Sequence, residues 1–421
     1  MNHSEVKSHL IEQGKQRGLK GGDLRVLSTD PFFVGSERDY VDAKWAAPLW
    51  EKMMARRRKP LHLRGFHYWI QSQGIPKPDG EKYAHGADPA RDWGYLLHCA
   101  QIARYLGIGK WTGLLDLKHP DPSDFDNYRV SSGLESDGSV DIQQELNIKL
   151  EGLVQEFVNR ILREAPEYST NFYQTFHHEV WCEKNSMGAF LEPACRKFGA
   201  TYQPLVGQAS VAKVSMACDR AIRAVNAGKK VRVWYISDFD RYGWQMVSAV
   251  ARKLEFMLHQ QGVQGADIKL TRLALSEEQI EKFNLPKAPK HGEAVVELDA
   301  LEAIHPGELG KLVEAALRPY HDSEKPRIVA EENRRIRGVV QQMVDSQLRP
   351  GLVEALKGID MSQIADGFDM AEAIDPNFIP PEPGKEVVED DSWMYDSQLP
   401  YWQQWEKYRS YKASRKEESI E

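Results

Sequence analysis

The chain has 421 residues, of which 41% are hydrophobic and 28% charged, with a formal net charge of −7. That balance excludes a disordered or fibrous chain and suits one or two cored domains with extensions. The charge is uneven: residues 1–120 hold 19 Lys and Arg against 13 Asp and Glu, while residues 367–421 hold 6 against 13. A net of +6 at one end and −7 at the other lets only the first segment face phosphates without screening. The N-terminus has no apolar core of signal-peptide type, and no run of 18 uncharged apolar residues occurs, so no membrane partner is expected. Cys99, Cys182, Cys195 and Cys218 stand apart, without metal-ligand spacing, and read as reduced core residues of a cytoplasmic protein.

Residues 1–45 carry no periodicity strong enough to name an element. From Trp45 the chain reads as a helix that ends in Arg56-Arg57-Arg58-Lys59-Pro60. This basic run is either a solvated helix end, favoured by the macrodipole, or a phosphate contact. Leu61 to Gly74 reads as a helix with Leu63, Phe66, Tyr68 and Ile70 among its apolar and aromatic residues. A Gly/Pro turn and a second helix through Trp93, Leu96, Ala100 and Ala103 follow. Short turns and a basic face suit a winged-helix-like DNA-binding region over 1–120. Residues 121–140, rich in Pro, Asp, Ser and Gly, read as a linker with solvent-facing acids.

Ile142 to Ala165 places Ile142, Leu146, Leu150, Leu153, Phe157 and Ile161 on one helical stripe. A short strand over Val180–Cys182 then ends in Glu183-Lys184. A helix over Met187–Phe198, a strand and turn from Pro204 to Gly207, and a helix over Ser210–Ala227 follow. Gly228 breaks into the strand Val231–Ile236, which ends abruptly in Asp238-Phe239-Asp240. A helix over Trp244–His259 and a strand over Asp267–Leu273 complete an alternating pattern that predicts a parallel sheet. Gly292–Leu301 reads as a last strand, with Glu297 and Asp299 alternating toward one face. Helices are predicted over Pro306–Ala316 and Ile328–Leu356, the latter surface- or partner-facing. The segments 141–305, 306–365 and 366–421 are thus expected to be an α/β domain, a helical extension and an acidic tail. That tail is expected to be extended rather than packed, up to a terminal helix that docks through Tyr401, Trp402, Trp405 and Tyr408.

Acids at the C-terminal ends of parallel strands project into the crevice where open α/β sheets place ligands. Glu183, Asp238 and Asp240 are hard oxygen donors suited to Mg²⁺ or Mn²⁺. The plainer alternative is turn and N-cap chemistry, which Asp also favours. Lys184 is a phosphate contact or a solvent-facing cation, Gly243 permits a tight turn, and Ser210 caps its helix. No P-loop spacing is present. An Asp-x-Asp phosphatase would need Thr or Val at position 242, which is Tyr, and would leave Glu183 unexplained.

Glu183 and Asp238-x-Asp240, each at a strand end and separated by a crossover, resemble the acidic constellation of a Toprim domain. The resemblance is closest to the topoisomerase VI A subunit, the meiotic double-strand-break transesterases and their bacterial relatives, including nuclease subunits of Wadjet-type plasmid-defence systems. It implies a Rossmann-like sheet preceded by a winged-helix domain, and a divalent ion held by Glu183, Asp238 and Asp240. Glu297 and Asp299 would be additional ligands. It further implies DNA as a partner, met by Arg56, Arg57, Arg58, Lys59, Arg64 and Lys184, a homodimer associated with the nucleoid, and a separate ATPase partner. In that family an Arg is followed four residues later by the tyrosine that attacks DNA. Arg64 and Tyr68 have this spacing, although the family's tyrosine pair is here His67-Tyr68. The expected chemistry is metal-dependent phosphodiester hydrolysis, with Tyr68 packing in a core. Tyrosyl transesterification through Tyr68, or a non-catalytic DNA-binding assembly subunit, is the alternative.

Overall fold

The β-branched and aromatic run before Asp238 does form a strand, and it lies inside a sheet covered on both faces. A computed structural model describes all residues except 1–2, 28, 56–60, 84–88, 116–120, 126–133, 137–152, 169–172, 206–208, 264, 291–292, 356–369, 383 and 418–421. The five strands are β1 (Phe176–Cys182), β2 (Thr201–Pro204), β3 (Lys230–Ile236), β4 (Ile268–Ala274) and β5 (Tyr395–Asp396), in spatial order β5-β4-β3-β1-β2. β1 to β4 pair in parallel, and β5 closes the β4 edge antiparallel. The fold is therefore mixed α/β with a mostly parallel sheet.

Burial on both faces explains why Val180–Cys182 of β1 and Val233–Ile236 of β3 read as continuous apolar runs, while His177, His178 and Glu179 of β1 are polar groups that are buried as well. Val231, Val233 and Tyr235 enter one core, while Trp234 and Ile236 enter the other. The first core is covered by helices α1 (His3–Gln16), α2 (Glu37–Met54), α4 (Pro89–Tyr105), α7 (Val211–Asn226), α8 (Arg241–Gln260) and the terminal α12 (Tyr401–Glu417). The second holds α6 (Gly188–Phe198), α9 (Leu298–Ile304) and α10 (Glu308–Leu317). Helix α3 (Leu63–Ser72) packs with α2 and α4 in a smaller cluster around Trp50, Phe66 and Ile70.

Several expectations need correction. Helix α1 had no nameable pattern because it buries only Leu10 and Gly14. Helix α2 begins at Glu37, eight residues before Trp45, because Ser36 and Asp39 form a reciprocal capping box. The second strand is Thr201–Pro204, not Pro204–Gly207: Gly199, at φ 63°, ends α6 and turns the chain directly into β2. Part of the expected linker lies against that edge, where Ser123 bridges Tyr202 and Asp124 accepts from Thr201.

The predicted late strand is instead a short hairpin, Ala288–Lys290 with Glu293–Val295, followed by α9. The predicted partner-facing helix, described as α11 (Glu324–Met343), a π-helical turn (Val344–Leu348) and Arg349–Ala355, has its apolar face occupied. Val329, Ile336, Val340 and Leu348 pack against Val158 and Ile161 of α5 (Leu153–Arg163). The start of that amphipathic helix, Ile142 to Leu150, lies outside the described residues.

The acidic tail is packed, contrary to expectation. Glu389 accepts from buried Arg232 and pairs with Lys269, Trp393 lies 4.9 Å from Trp234, and β5 joins the sheet. The terminal helix docks as expected: Trp402 and Trp405 donate to Gln13 Oε1 and the Leu24 carbonyl, and Tyr408 is buried. All four cysteines are free and buried. Among the described residues no helix is long and apolar enough to cross a membrane.

Candidate functional site

Backbone pairing brings two strand ends together. Cys182 and Ile236 are register partners, and the Glu183 N–H donates to the Ile236 carbonyl at 2.9 Å, so Glu183 leaves β1 beside the end of β3. Asp240 is the N-cap of α8, where its Oδ1 accepts from the Gly243 N–H at 2.6 Å. The turn is tight: a Cβ on Gly243 would lie 2.3 Å from the Asp238 carbonyl oxygen. The N-cap reading of Asp-x-Asp holds for Asp240, which caps α8, while Asp238 stands one residue beyond buried Ser237.

A third chain segment completes the crest. Phe239 and Val296 exchange two backbone hydrogen bonds, and the Leu298 N–H donates to Asp238 Oδ1 at 2.8 Å. This places Glu297 at the N-cap position of α9 and Asp299 in its first turn. They reach the site from a helix start, not from alternating strand positions. Lys184 occupies the space between these groups. Its Nζ lies 3.1 Å from Asp238 Oδ2, 3.3 Å from Glu297 Oε2 and 2.5 Å from Asp299 Oδ2. It is thus neither a free solvent-facing cation nor a group already facing outward to a phosphate.

The electrostatics of the crest are uneven. Burial, reinforced by the charges of Asp238 and Asp240, pushes Glu183 up to about 7. Its Oε2 is buried without a hydrogen-bond partner. Burial also raises Asp238, opposed by the Leu298 N–H and by Lys184. Lys184 is held well above the usual ammonium range, since its hydrogen bond to Asp299 and the Asp238 charge outweigh the burial that would lower it. Beneath Glu183 are two fully buried hydroxyls without partners, Tyr235 Oη and Ser237 Oγ. Tyr235 enters the core that α8 covers and Ser237 lies one residue past the end of β3; no pattern in the sequence singles out either hydroxyl.

The five acids and Lys184 are brought together, but not as a ready-made cage. Among the described residues no group of three or more His, Cys, Asp or Glu side chains stands at metal-holding distance. The ammonium of Lys184 fills the middle of the crest, and one oxygen each of Asp238 and Asp240 is committed to a backbone N–H.

Arg64 and Tyr68 sit on α3, which packs in a different cluster from the crest. Tyr68 is 54% exposed, which overturns the expectation of a core role; His67 is the buried member of the pair and bonds Tyr83 at 2.5 Å. Arg64 is exposed on the same face as Tyr68, and its guanidinium lies over the Trp93 ring. The basic run Arg56, Arg57, Arg58 and Lys59 lies outside the described residues. Comparison of the sequence with protein-family models and with curated proteins gives no match. What fold and site define together is an α/β protein with carboxylates gathered at the C-terminal end of a mostly parallel sheet.

Proposed function

We propose that the chain is a Toprim-like, divalent-metal-dependent DNA endonuclease that cleaves phosphodiesters by hydrolysis. The observation that carries this reading is Glu183 Oε2, buried and unpartnered beside two further acids at adjacent strand ends. Like charges so placed raise one another's pKa unless a cation joins them, and hard oxygen donors of this kind select Mg²⁺ or Mn²⁺. Glu183, Asp238 and Asp240 would hold the ion. When bound, it would supply charge neutralisation at the phosphate and activation of water. The chain's own residues do the rest: α8 and α9 fix Asp240 and Asp238 through backbone N–H groups, and Lys184 offers an ammonium to the phosphate.

The DNA partner, a homodimer, a separate ATPase subunit, a nucleoid location and a part in genome or plasmid defence follow from the resemblance and belong to the same proposal. Glu297 and Asp299 are better placed to hold Lys184 than to bind the ion. Arg64 and the 56–59 run are the proposed backbone contacts.

A second reading is favoured by one observation: Tyr68 is exposed, one helical turn from Arg64, as a tyrosine that attacks DNA must be. Incubation with supercoiled plasmid and Mg²⁺ or Mn²⁺, resolved with and without protease, separates the two. Hydrolysis predicts protease-independent nicks or breaks that Asp238→Ala abolishes and Tyr68→Phe retains. Protein-linked ends lost in Tyr68→Phe would establish transesterification. DNA binding unchanged without metal, and no cleavage under any condition, would leave a non-catalytic assembly subunit.

A further inference from the structure

Resting on the reading of the crest as a cation site, we propose that Lys184 is a tethered competitor of the divalent ion, latched by Glu297 and Asp299. Its Nζ lies within 3.3 Å of three carboxylates on two separate chain segments, and its side chain is only 23% exposed. A partly buried ammonium with three anionic partners supplies in the metal-free protein the positive charge that the acids require. A divalent ion entering at Asp238 Oδ2 meets that ammonium and must displace it.

The latch is built to receive the lysine. Glu297 and Asp299 flank Leu298, whose N–H is bonded to Asp238, so the two latch acids are fixed to the same aspartate that the lysine must leave. They remain mostly exposed, with side chains 52% and 54% accessible, which suits a resting place for an ammonium more than a closed ligand set. Asp238 thus exchanges one cation for another, while Glu297 and Asp299 set how readily Lys184 lets go. Released, the same ammonium is free to meet a phosphate, so metal loading and phosphate recognition become linked.

Direct measurement of Mn²⁺ binding to the full chain, without DNA, tests this in a double-mutant cycle. Lys184→Met should tighten Mn²⁺ binding by about tenfold, the scale of one partly buried charge contact. Glu297→Gln/Asp299→Asn should weaken binding in the wild-type background, because Lys184 then rests wholly on Asp238. The same pair should have no effect in the Lys184→Met background. If it weakens binding equally in both backgrounds, the two acids are metal ligands and the latch is wrong. If Lys184→Met binds no more tightly than wild type, while Asp238→Asn abolishes binding, the competition fails but the cation site stands. If neither wild type nor Lys184→Met binds Mn²⁺, both the latch and the cation site fall. Circular dichroism and melting of each variant confirm that folded proteins are compared.

Discussion

Glu179 and Glu183 stand four residues apart on one edge of the same chain segment, and their surroundings are opposite. Glu179 lies inside β1, where Arg220 grips both of its oxygens at 2.9 and 2.7 Å and Trp181 donates to one of them at 2.7 Å. Burial alone would raise its pKa, but the Arg220 charge and the His177 and Arg220 hydrogen bonds overcome this and hold it at about 2. Glu183, just past the strand end, keeps one oxygen unpartnered and is pushed up to about 7 by burial and by Asp238 and Asp240. One carboxylate is satisfied by its own chain; the other keeps an oxygen without a hydrogen-bond partner. The contrast, more than burial, is what singles out Glu183 as the proposed functional acid.

The largest effect should come from breaking the satisfied member. Glu179→Ala removes the carboxylate that grips the buried Arg220 guanidinium with two hydrogen bonds, and should lower unfolding free energy in urea by about 3–5 kcal/mol. Gly243→Ala comes next. Its methyl would collide with the Asp238 carbonyl at 2.3 Å, forcing the Asp238–Asp240 turn to shift. A loss of about 1–3 kcal/mol is expected, together with weaker Mn²⁺ binding. Glu183→Gln should have the opposite sign. Removing one of three crowded charges should stabilise the metal-free protein by about 0.5–2 kcal/mol, and, if the crest binds the proposed cation, should abolish that cation's effect on melting.

Acid sharpens the contrast further. The folded chain keeps Glu179 ionised at about 2 where the unfolded chain takes up a proton near 4.5. Its stabilisation is therefore complete above about 4.5 and is lost as pH falls toward 2. Acid unfolding of Glu179→Gln, whose site carries no titrating group, should show a flatter stability profile across that window than wild type.

Much of the sheet was legible because the buried end of β1 (Val180–Cys182) and most of β3 were written as apolar runs that stop at or just before an acid, while β4 alternates apolar and polar residues. The acids at the ends of β1 and β3 were legible for the same reason. What the sequence did not display was long-range. Glu297 and Asp299 alternated like strand residues, yet the Phe239–Val296 bridge and the Asp238–Leu298 hydrogen bond start a helix there. The tail looked too acidic to pack, but Arg232 and Lys269 wait for Glu389 from distant strands. Tyr68 shares an amphipathic helix with core residues, yet it faces outward while its neighbour His67 is buried against Tyr83.

The most direct test is thermal melting of the wild type and Asp238→Asn with and without saturating Mn²⁺, since a ligand that binds only the folded state raises the melting temperature. A rise in wild type that is absent in Asp238→Asn is expected if the crest binds the cation. No rise in wild type, or an equal rise in both proteins, would contradict it.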